Sequence, residues 1–262
     1  SKQPWDGYRF SVEAVGEGVR LFLKQLWNTY AFLALYENAA GAPQAEAAPA
    51  GEQTELDTWV LSRLSATVEE VTAGLEAFDA TTGGRAIAAF VDDLSNWYVR
   101  RSRRRFWEGD PVAFATLRTC LVTVAKLLAP FTPFVAVEIY DNLDGTEPSV
   151  HLADWPDAAV HARDLALEVS MATARETVRL GLAARGQAKV KVRQPLREAV
   201  IVAAGREREA IEQLGAIVRE ELNVEALRFV DEAGGPRPSG AAADHPPPRP
   251  PARGRPPPRP HP

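Results

Sequence analysis

Residues 78–107 read FDATTGGRAIAAFVDDLSNWYVRRSRRRFW. Asp79 is placed to cap a helix, and Ile87, Phe90, Val91, Leu94, Trp97 and Tyr98 recur at helical spacing behind it. Gly83 and Gly84 each cost about 1 kcal/mol of helix propensity, which loosens the first turn. Five arginines then fill the six positions 100–105. With Leu94 at the centre of the buried stripe and about 100° per residue, Arg101 and Arg105 fall in line with it. Arg100 and Arg104 fall on a flank with Asn96 and Trp97, and Arg103 points to the opposite side. The run therefore divides. Arg101 and Arg105 are expected to be structural, pairing with carboxylates or snorkelling at the core edge. Arg100, Arg103 and Arg104 remain for a partner, and guanidinium forks match phosphate oxygens bidentately. The alternative is a solvated helix end, where cations gain about 0.3 to 1 kcal/mol each from the helix dipole.

Helices are expected on both sides of this segment. Upstream, Ser11 caps and Phe10 staples onto Val15, and the stripe runs through Val15, Val19, Phe22, Leu23, Leu26, Tyr30 and Leu33. NAAGAPQAEAAPAGEQ (38–53) reads as a solvated linker, followed by a helix with Val60, Leu64, Val68, Val71 and Leu75 on one face. Downstream, Asp110-Pro111 opens a helix along Phe114, Leu117, Leu121, Val124 and Leu128, and Thr132-Pro133 opens another to about Leu143. A sixth helix spans about residues 160–184 with Leu165, Val169, Ala172, Val178 and Leu182 inward.

The period then changes. LREAVIVA, REREAIEQLGAIVREELN and VEALRFV read as strand, helix and strand, with Ile211, Leu214, Ile217 and Leu222 on one helical face. Before them, KVKVRQP alternates Lys189, Lys191 and Arg193 with valines, which in an extended segment puts three cations on one side. These either contact a phosphate backbone or protect a strand edge. From Gly234 the chain is mostly Pro, Arg, Ala and Gly, with more than half of the 21 prolines, and is expected to be disordered. The fold class is mainly α, with a helical bundle over 1–157, a long helix and small α/β junction unit over 158–233, and a disordered Pro/Arg-rich tail over 234–262.

The formal net charge of -5 says little about binding, because a phosphate senses the field within about 10 Å at 0.1 M salt. One cysteine, Cys120, excludes an internal disulfide framework and a thiolate metal site. Histidines at 151, 161, 245 and 261 have no metal-ligand spacing, and His151 and His161 read as surface or packing residues. Trp59, Trp97 and Trp107 read as core or rim. The apolar runs fall short of the roughly 20 residues that span a bilayer, and the first residues lack a signal-peptide core. A soluble cytoplasmic protein that does not engage membranes is expected. Nucleophile–base pairs, phosphate-cradling glycine loops and paired carboxylates in a recognisable setting do not occur, so no catalytic residue is assigned. A chain beginning with Ser rather than Met is expected to start inside a longer protein.

FLKQLWNTYAFLALY, LDTWVLSRLSATVEEV, the arginine segment, LLAPFTPFVAVEIY, SVHLADWP and KVKVRQPLREAVI occur in an order that closely resembles the isoleucyl-tRNA synthetases, which are class I aminoacyl-tRNA synthetases. The resemblance runs to about residue 232. Valyl and leucyl enzymes share the bundle and its Trp-Tyr pair, whereas RRSRRRFW and VRQPL go with the isoleucyl branch. What the resemblance implies is the anticodon-binding bundle plus the start of a C-terminal junction region. The partner is tRNA(Ile), contacted by Arg100, Arg103, Arg104, Lys189, Lys191 and Arg193. In the full-length enzyme, expected to be a monomer, ATP and Mg belong to a separate catalytic domain, and zinc to a C-terminal module. The chain itself is expected to hold no cofactor and to be inactive alone. Its departure from the family after LRFV suggests a frame slip or a truncated gene end. A valyl-type bundle and a non-catalytic helical interaction module are the alternative readings.

Overall fold

The structure, a computed structural model, describes residues 11–40 and 52–230. The Phe10 staple, most of the proposed linker and the Pro/Arg-rich tail lie outside the described residues. The chain divides into two compact units, Ser1–Ala172 and Thr173–Pro262. The sequence reading set the division after residue 157; the units instead divide within a helix. The first turn of that helix is tied to the first unit, where Ser62 donates to Glu168 at 2.6 Å and Arg63 lies 3.7 Å from the same carboxylate.

In the first unit, α1 (Val12–Gly18) continues through a π-helical turn, Val19–Leu23, into α2 (Lys24–Ala40). There the expected stripe is only partly buried: Leu26 and Leu33 are buried, whereas Val15 and Val19 are exposed. The extra residue of a π turn rotates the helix faces before and after it against each other, so one stripe cannot run through both. α3 (Glu55–Glu76) buries Val60, Leu64, Val68 and Val71. Asp79 caps α4 (Ala80–Asp93), accepting from the Thr82 amide at 3.0 Å. Gly74, near the end of α3, and Gly83, near the start of α4, have a packing purpose: a Cβ on Gly74 would lie 3.2 Å from the Gly83 amide nitrogen, and one on Gly83 3.3 Å from the Phe131 ring and 3.6 Å from Val71. Their absent side chains let α3 and α4 approach closely.

α4 leads through a second π-helical turn, Leu94–Val99, into α5 (Arg100–Trp107). α6 (Pro111–Leu128) starts at its Asp110 cap, and α7 (Pro133–Leu143) follows the Pro130 break. Thr132 precedes α7 without capping it through its side chain. α6 is long and apolar enough to cross a membrane by length and composition. Two-thirds of its window is nevertheless buried (67%) in the bundle, as expected for a core helix. Phe106 sits among three rings, with centroids 5.1 Å from Phe32, 5.3 Å from Phe114 and 6.4 Å from Tyr98, all near perpendicular. Edge-to-face pairs of this kind add about 0.5 to 1.5 kcal/mol beyond area burial.

α8 (Leu165–Gln187) corrects the sequence reading. Leu167, Met171, Ala174 and Val178 are buried, whereas Leu165 and Val169 are exposed. The helix starts five residues later than expected, behind a short 3-10 turn at Ala158–Val160 and an Asp164 side chain that accepts from the Leu167 amide at 2.9 Å.

In the second unit, β1 (Leu196–Val202) and β2 (Val224–Val230) pair in parallel, with Leu196 opposite Val224 and Ile201 opposite Phe229. A parallel pair needs a crossover. It is supplied by α9 (Gly205–Gln213) and α10 (Gly215–Leu222), two helices where the sequence suggested one. The break at Leu214 still leaves Ile211, Leu214, Ile217 and Leu222 all buried.

Candidate nucleic-acid interface

The arginine helix is fixed from its inner side. Thr54 and Asp57 form a capping box: the Asp57 amide donates to Thr54 Oγ1 at 3.3 Å, and the Thr54 amide donates to Asp57 Oδ2 at 2.8 Å. Asp57 is fully buried. Tyr98 Oη donates to its Oδ1 at 2.7 Å and Arg105 Nη1 to the same oxygen at 2.9 Å, while Arg105 Nη2 lies 2.8 Å from Oδ2. Arg105 Nε also donates to Asp110 at 2.8 Å, and Asp110 accepts from the Val112 amide at the start of α6. One guanidinium thus joins the starts of α3 and α6. Burial alone would raise the Asp57 pKa, but hydrogen bonds from Arg105, Tyr98 and Thr54 outweigh it and hold the carboxyl below its ordinary range. Burial opposes the charge of Arg105 too, and its bonds to Asp57 and Asp110 outweigh that, so its pKa is raised.

The π turn changes which residues point inward. It adds one residue to the helix just before the arginines, so Ser102 and Phe106 take the buried positions that uniform α spacing gives to Arg101 and Arg105. Arg101 and Arg105 move to the flank, where each is half-buried. Arg100, Arg103 and Arg104 are exposed. Arg100 Nε donates to the Asn96 carbonyl at 2.7 Å, and its guanidinium carbon lies 5.8 Å from the Trp97 ring centroid. Arg104 Nε donates to the Glu108 carboxylate at 2.7 Å across exposed side chains, a pair that a competing anion can replace at little cost. Arg103 has no ion-pair partner among the described residues. Trp107, expected at the core or rim, is 80% exposed and borders a cavity of about 440 Å³ with Leu35, Tyr36, Ala39 and Phe106. Trp59 is buried and Trp97 half-buried.

The second basic segment is not extended. α8 ends at Gln187, Lys189 follows it in the left-handed region (φ 56°), and a turn closes from the Gln194 amide to the Lys191 carbonyl at 3.0 Å. Lys189, Lys191 and Arg193 are exposed on this loop rather than aligned along a strand edge. Arg185, in the last turn of α8, is buried behind them and donates to the carbonyls of Lys191, Gln194 and Asn223 at 3.0–3.1 Å. Sequence reasoning passed over both anchors. A Thr-x-x-Asp pattern ahead of an apolar run signals the Asp57 capping box. A lone arginine in a last helical turn looks like a dipole complement, and nothing in the sequence marks Arg185 as buried.

His151 is exposed; His161 is half-buried, its carbonyl accepts from Ser65 Oγ at 2.9 Å, and burial lowers its pKa. Cys120 is buried, which pushes its thiol pKa up and removes it as a nucleophile. Among the described residues, no group of three or more His, Cys, Asp or Glu is placed to hold a metal. The described geometry therefore offers a basic surface in each unit, the first held by the half-buried Arg105 and the second by the buried Arg185.

Comparison with known proteins agrees with this geometry. The family described as "Anticodon-binding domain of tRNA ligase" matches residues 57–201. The chain is 47% identical over 237 residues to the isoleucine–tRNA ligase of Deinococcus radiodurans, covering 88% of this chain and 22% of that protein. It is 44% identical over 238 residues to that of Streptomyces avermitilis (88% and 23%) and 43% identical over 243 residues to that of Porphyromonas gingivalis (90% and 21%). The chain thus spans somewhat over a fifth of the length of these curated relatives. The family match covers more than half of the chain, and it includes the Asp57 anchor, the arginine helix and the Lys189–Arg193 loop: this protein belongs to the anticodon-binding domain family of tRNA ligases.

Proposed function

We propose that this chain is the tRNA-binding part of an isoleucine–tRNA ligase, a protein that joins isoleucine to tRNA(Ile) with ATP in the cytoplasm, and that it works there as part of a monomer. Arg100, Arg103 and Arg104 hold the phosphate backbone, as do Lys189, Lys191 and Arg193. The observation that carries this reading is the division of the arginine helix. Arg105 is engaged by Asp57 and Asp110, whereas Arg100, Arg103 and Arg104 face solvent on one rigid helix. A helix held this firmly presents its outer guanidiniums with little ordering left to do on binding. Phosphate contacts of this kind set affinity and register and leave sequence discrimination to other groups. In this reading, activation of isoleucine with Mg-ATP, and any zinc module, belong to other parts of a full-length ligase. The purified chain is expected to catalyse no isoleucine-dependent exchange of pyrophosphate into ATP, and detectable exchange would refute that.

The deciding measurement is tRNA affinity at several salt concentrations for the triple variant Arg100→Gln/Arg103→Gln/Arg104→Gln. Each lost phosphate contact lowers the logarithmic salt slope by roughly 0.7 to 0.9, so the triple variant should flatten it by roughly 2 to 3. Gln preserves length and helix propensity, and thermal unfolding should stay unchanged. An unaltered slope would return the run to a solvated helix end.

A further inference from the structure

The loop over residues 189–195 shows more than a row of cations. From Thr177 to Arg197 there is no Asp or Glu, and the segment carries six cations: Arg179, Arg185, Lys189, Lys191, Arg193 and Arg197. Arg179 pairs with Glu176. Arg185 is bound by three backbone carbonyls, which occupy three of its five N–H donors without neutralising its charge. A buried guanidinium with this partner set leaves a full positive charge under the loop.

The carbonyl contacts also orient the peptides. Arg185 draws the Lys191 carbonyl inward, and Asn223 Nδ2 draws the Val192 carbonyl inward at 2.9 Å. Asn223 is itself in the left-handed region (φ 50°), and its carbonyl accepts both Arg185 Nη2 and the Leu196 amide. In a planar trans peptide, C=O and N–H point in opposite directions. The amides of Val192 and Arg193 must therefore point outward. Neither has an acceptor among the described residues, and both residues are exposed. Lys189, Lys191 and Arg193 flank these amides and have no ion-pair partner among the described residues. Successive outward amides above a fixed positive charge make an anion-binding concavity.

We propose that Arg185 and Asn223 shape residues 189–195 into a clamp for one phosphodiester of an RNA backbone. The amides of Val192 and Arg193 donate to its oxygens, Lys189, Lys191 and Arg193 surround it, and Arg185 acts as the positioning residue. This rests on the reading of the chain as a tRNA-binding domain. The clamp differs from the arginine helix in kind: it uses directional backbone donors, so it depends on peptide orientation and not on cation count alone.

The test uses the whole chain and a tRNA(Ile) transcript. In a titration followed by amide NMR, the Val192 and Arg193 resonances should move downfield at saturation; unmoved resonances would overturn the clamp. Arg185→Met should weaken binding about tenfold and reduce the salt slope. Arg185→Lys keeps the charge but cannot span three carbonyls, and it should recover only part of the affinity. Full recovery by Lys would mean that charge suffices and would overturn the positioning role. Lys189→Gln/Lys191→Gln/Arg193→Gln reports separately on the loop. If this triple variant weakens binding while Arg185→Met stays within twofold of the parent, Arg185 is not the positioning residue and the loop contact stands. If the loop variant changes nothing, while Arg100→Gln/Arg103→Gln/Arg104→Gln does, the clamp is refuted and the tRNA-binding reading survives. Should Arg185→Met abolish amide protection in β1 and β2, the titration of the parent protein and the Lys variant decide the matter.

Discussion

Arg105 in the first unit and Arg185 in the second are both sheltered arginines that tie separated segments together, but their partners are opposite in kind. Arg105 meets two carboxylates, so its positive charge is cancelled and what remains is a joint between helix starts. Arg185 meets three carbonyls, which are satisfied without being charged. The first arrangement gives rigidity to a helix whose other arginines, Arg100, Arg103 and Arg104, are exposed. The second leaves its charge in play at the surface it shapes. The half-buried Arg105 and the buried Arg185 thus differ in partner set, which makes the first a joint between helix starts and the second a residue that shapes the loop above it.

Removing each guanidinium should separate the two kinds most clearly. Arg105→Met strands a fully buried Asp57 carboxylate with only Tyr98 and Thr54 as donors, and losing one member of such a pair costs about 3 to 5 kcal/mol. Arg185→Met strands two carbonyls of an exposed loop, where water can replace the donor, and that of the half-buried Asn223, and should cost about 1 to 2 kcal/mol. Urea unfolding followed by amide protection resolves the two units: α3 and α6 report on Arg105, and β1 and β2 on Arg185. Equal losses would break the contrast. A larger loss for Arg185 would make it the principal structural joint and weaken its assignment to the loop.

The helices were legible where local signals agree. Asp79, Asp110-Pro111 and Thr132-Pro133 each marked a helix start, and the stripes of α3 and α6 followed their spacing. Reading failed where one residue shifted the phase. The π turn at Leu94–Val99 exchanged Arg101 and Arg105 for Ser102 and Phe106 on the inner face, because spacing counts assume uniform α geometry. α8 differs for a related reason: it starts at Leu165, behind the Asp164 side chain, and the spacing that puts Leu165 and Val169 inward gives way to a buried face of Leu167, Met171, Ala174 and Val178. For the basic loop, residue types were visible in KVKVRQP, but its conformation depends on Arg185 and Asn223, and Asn223 lies across the strand-helix-strand unit. Long-range carbonyl contacts leave no local pattern.

A smaller effect sharpens the same contrast through pH. Asp57 and Glu168 both have lowered pKa values. In Asp57 the burial that would raise it is outweighed by Arg105, Tyr98 and Thr54. In Glu168 burial is likewise outweighed by Arg163 and Ser62, with Arg63 adding to the effect. A carboxyl whose folded pKa lies below its unfolded value binds fewer protons in the folded state, so stability rises with pH across the interval between the two. The contribution is complete above the unfolded values, about 3.9 for Asp and 4.3 for Glu, and is lost as pH falls through the folded ones. Arg185 has no carboxylate among its partners, so the contacts that hold the loop have no such dependence. Urea midpoints read through α3 protection between pH 3 and 6 should fall with acid. In Asp57→Asn the midpoint should already be lower at pH 6 and should fall less steeply, since of these two carboxyls Glu168 alone then supplies linkage. An Asp57→Asn slope as steep as the parent's would show that the buried carboxylate is not what couples the first unit to pH, and the distinction between a neutralised and an unneutralised arginine would lose its clearest thermodynamic signature.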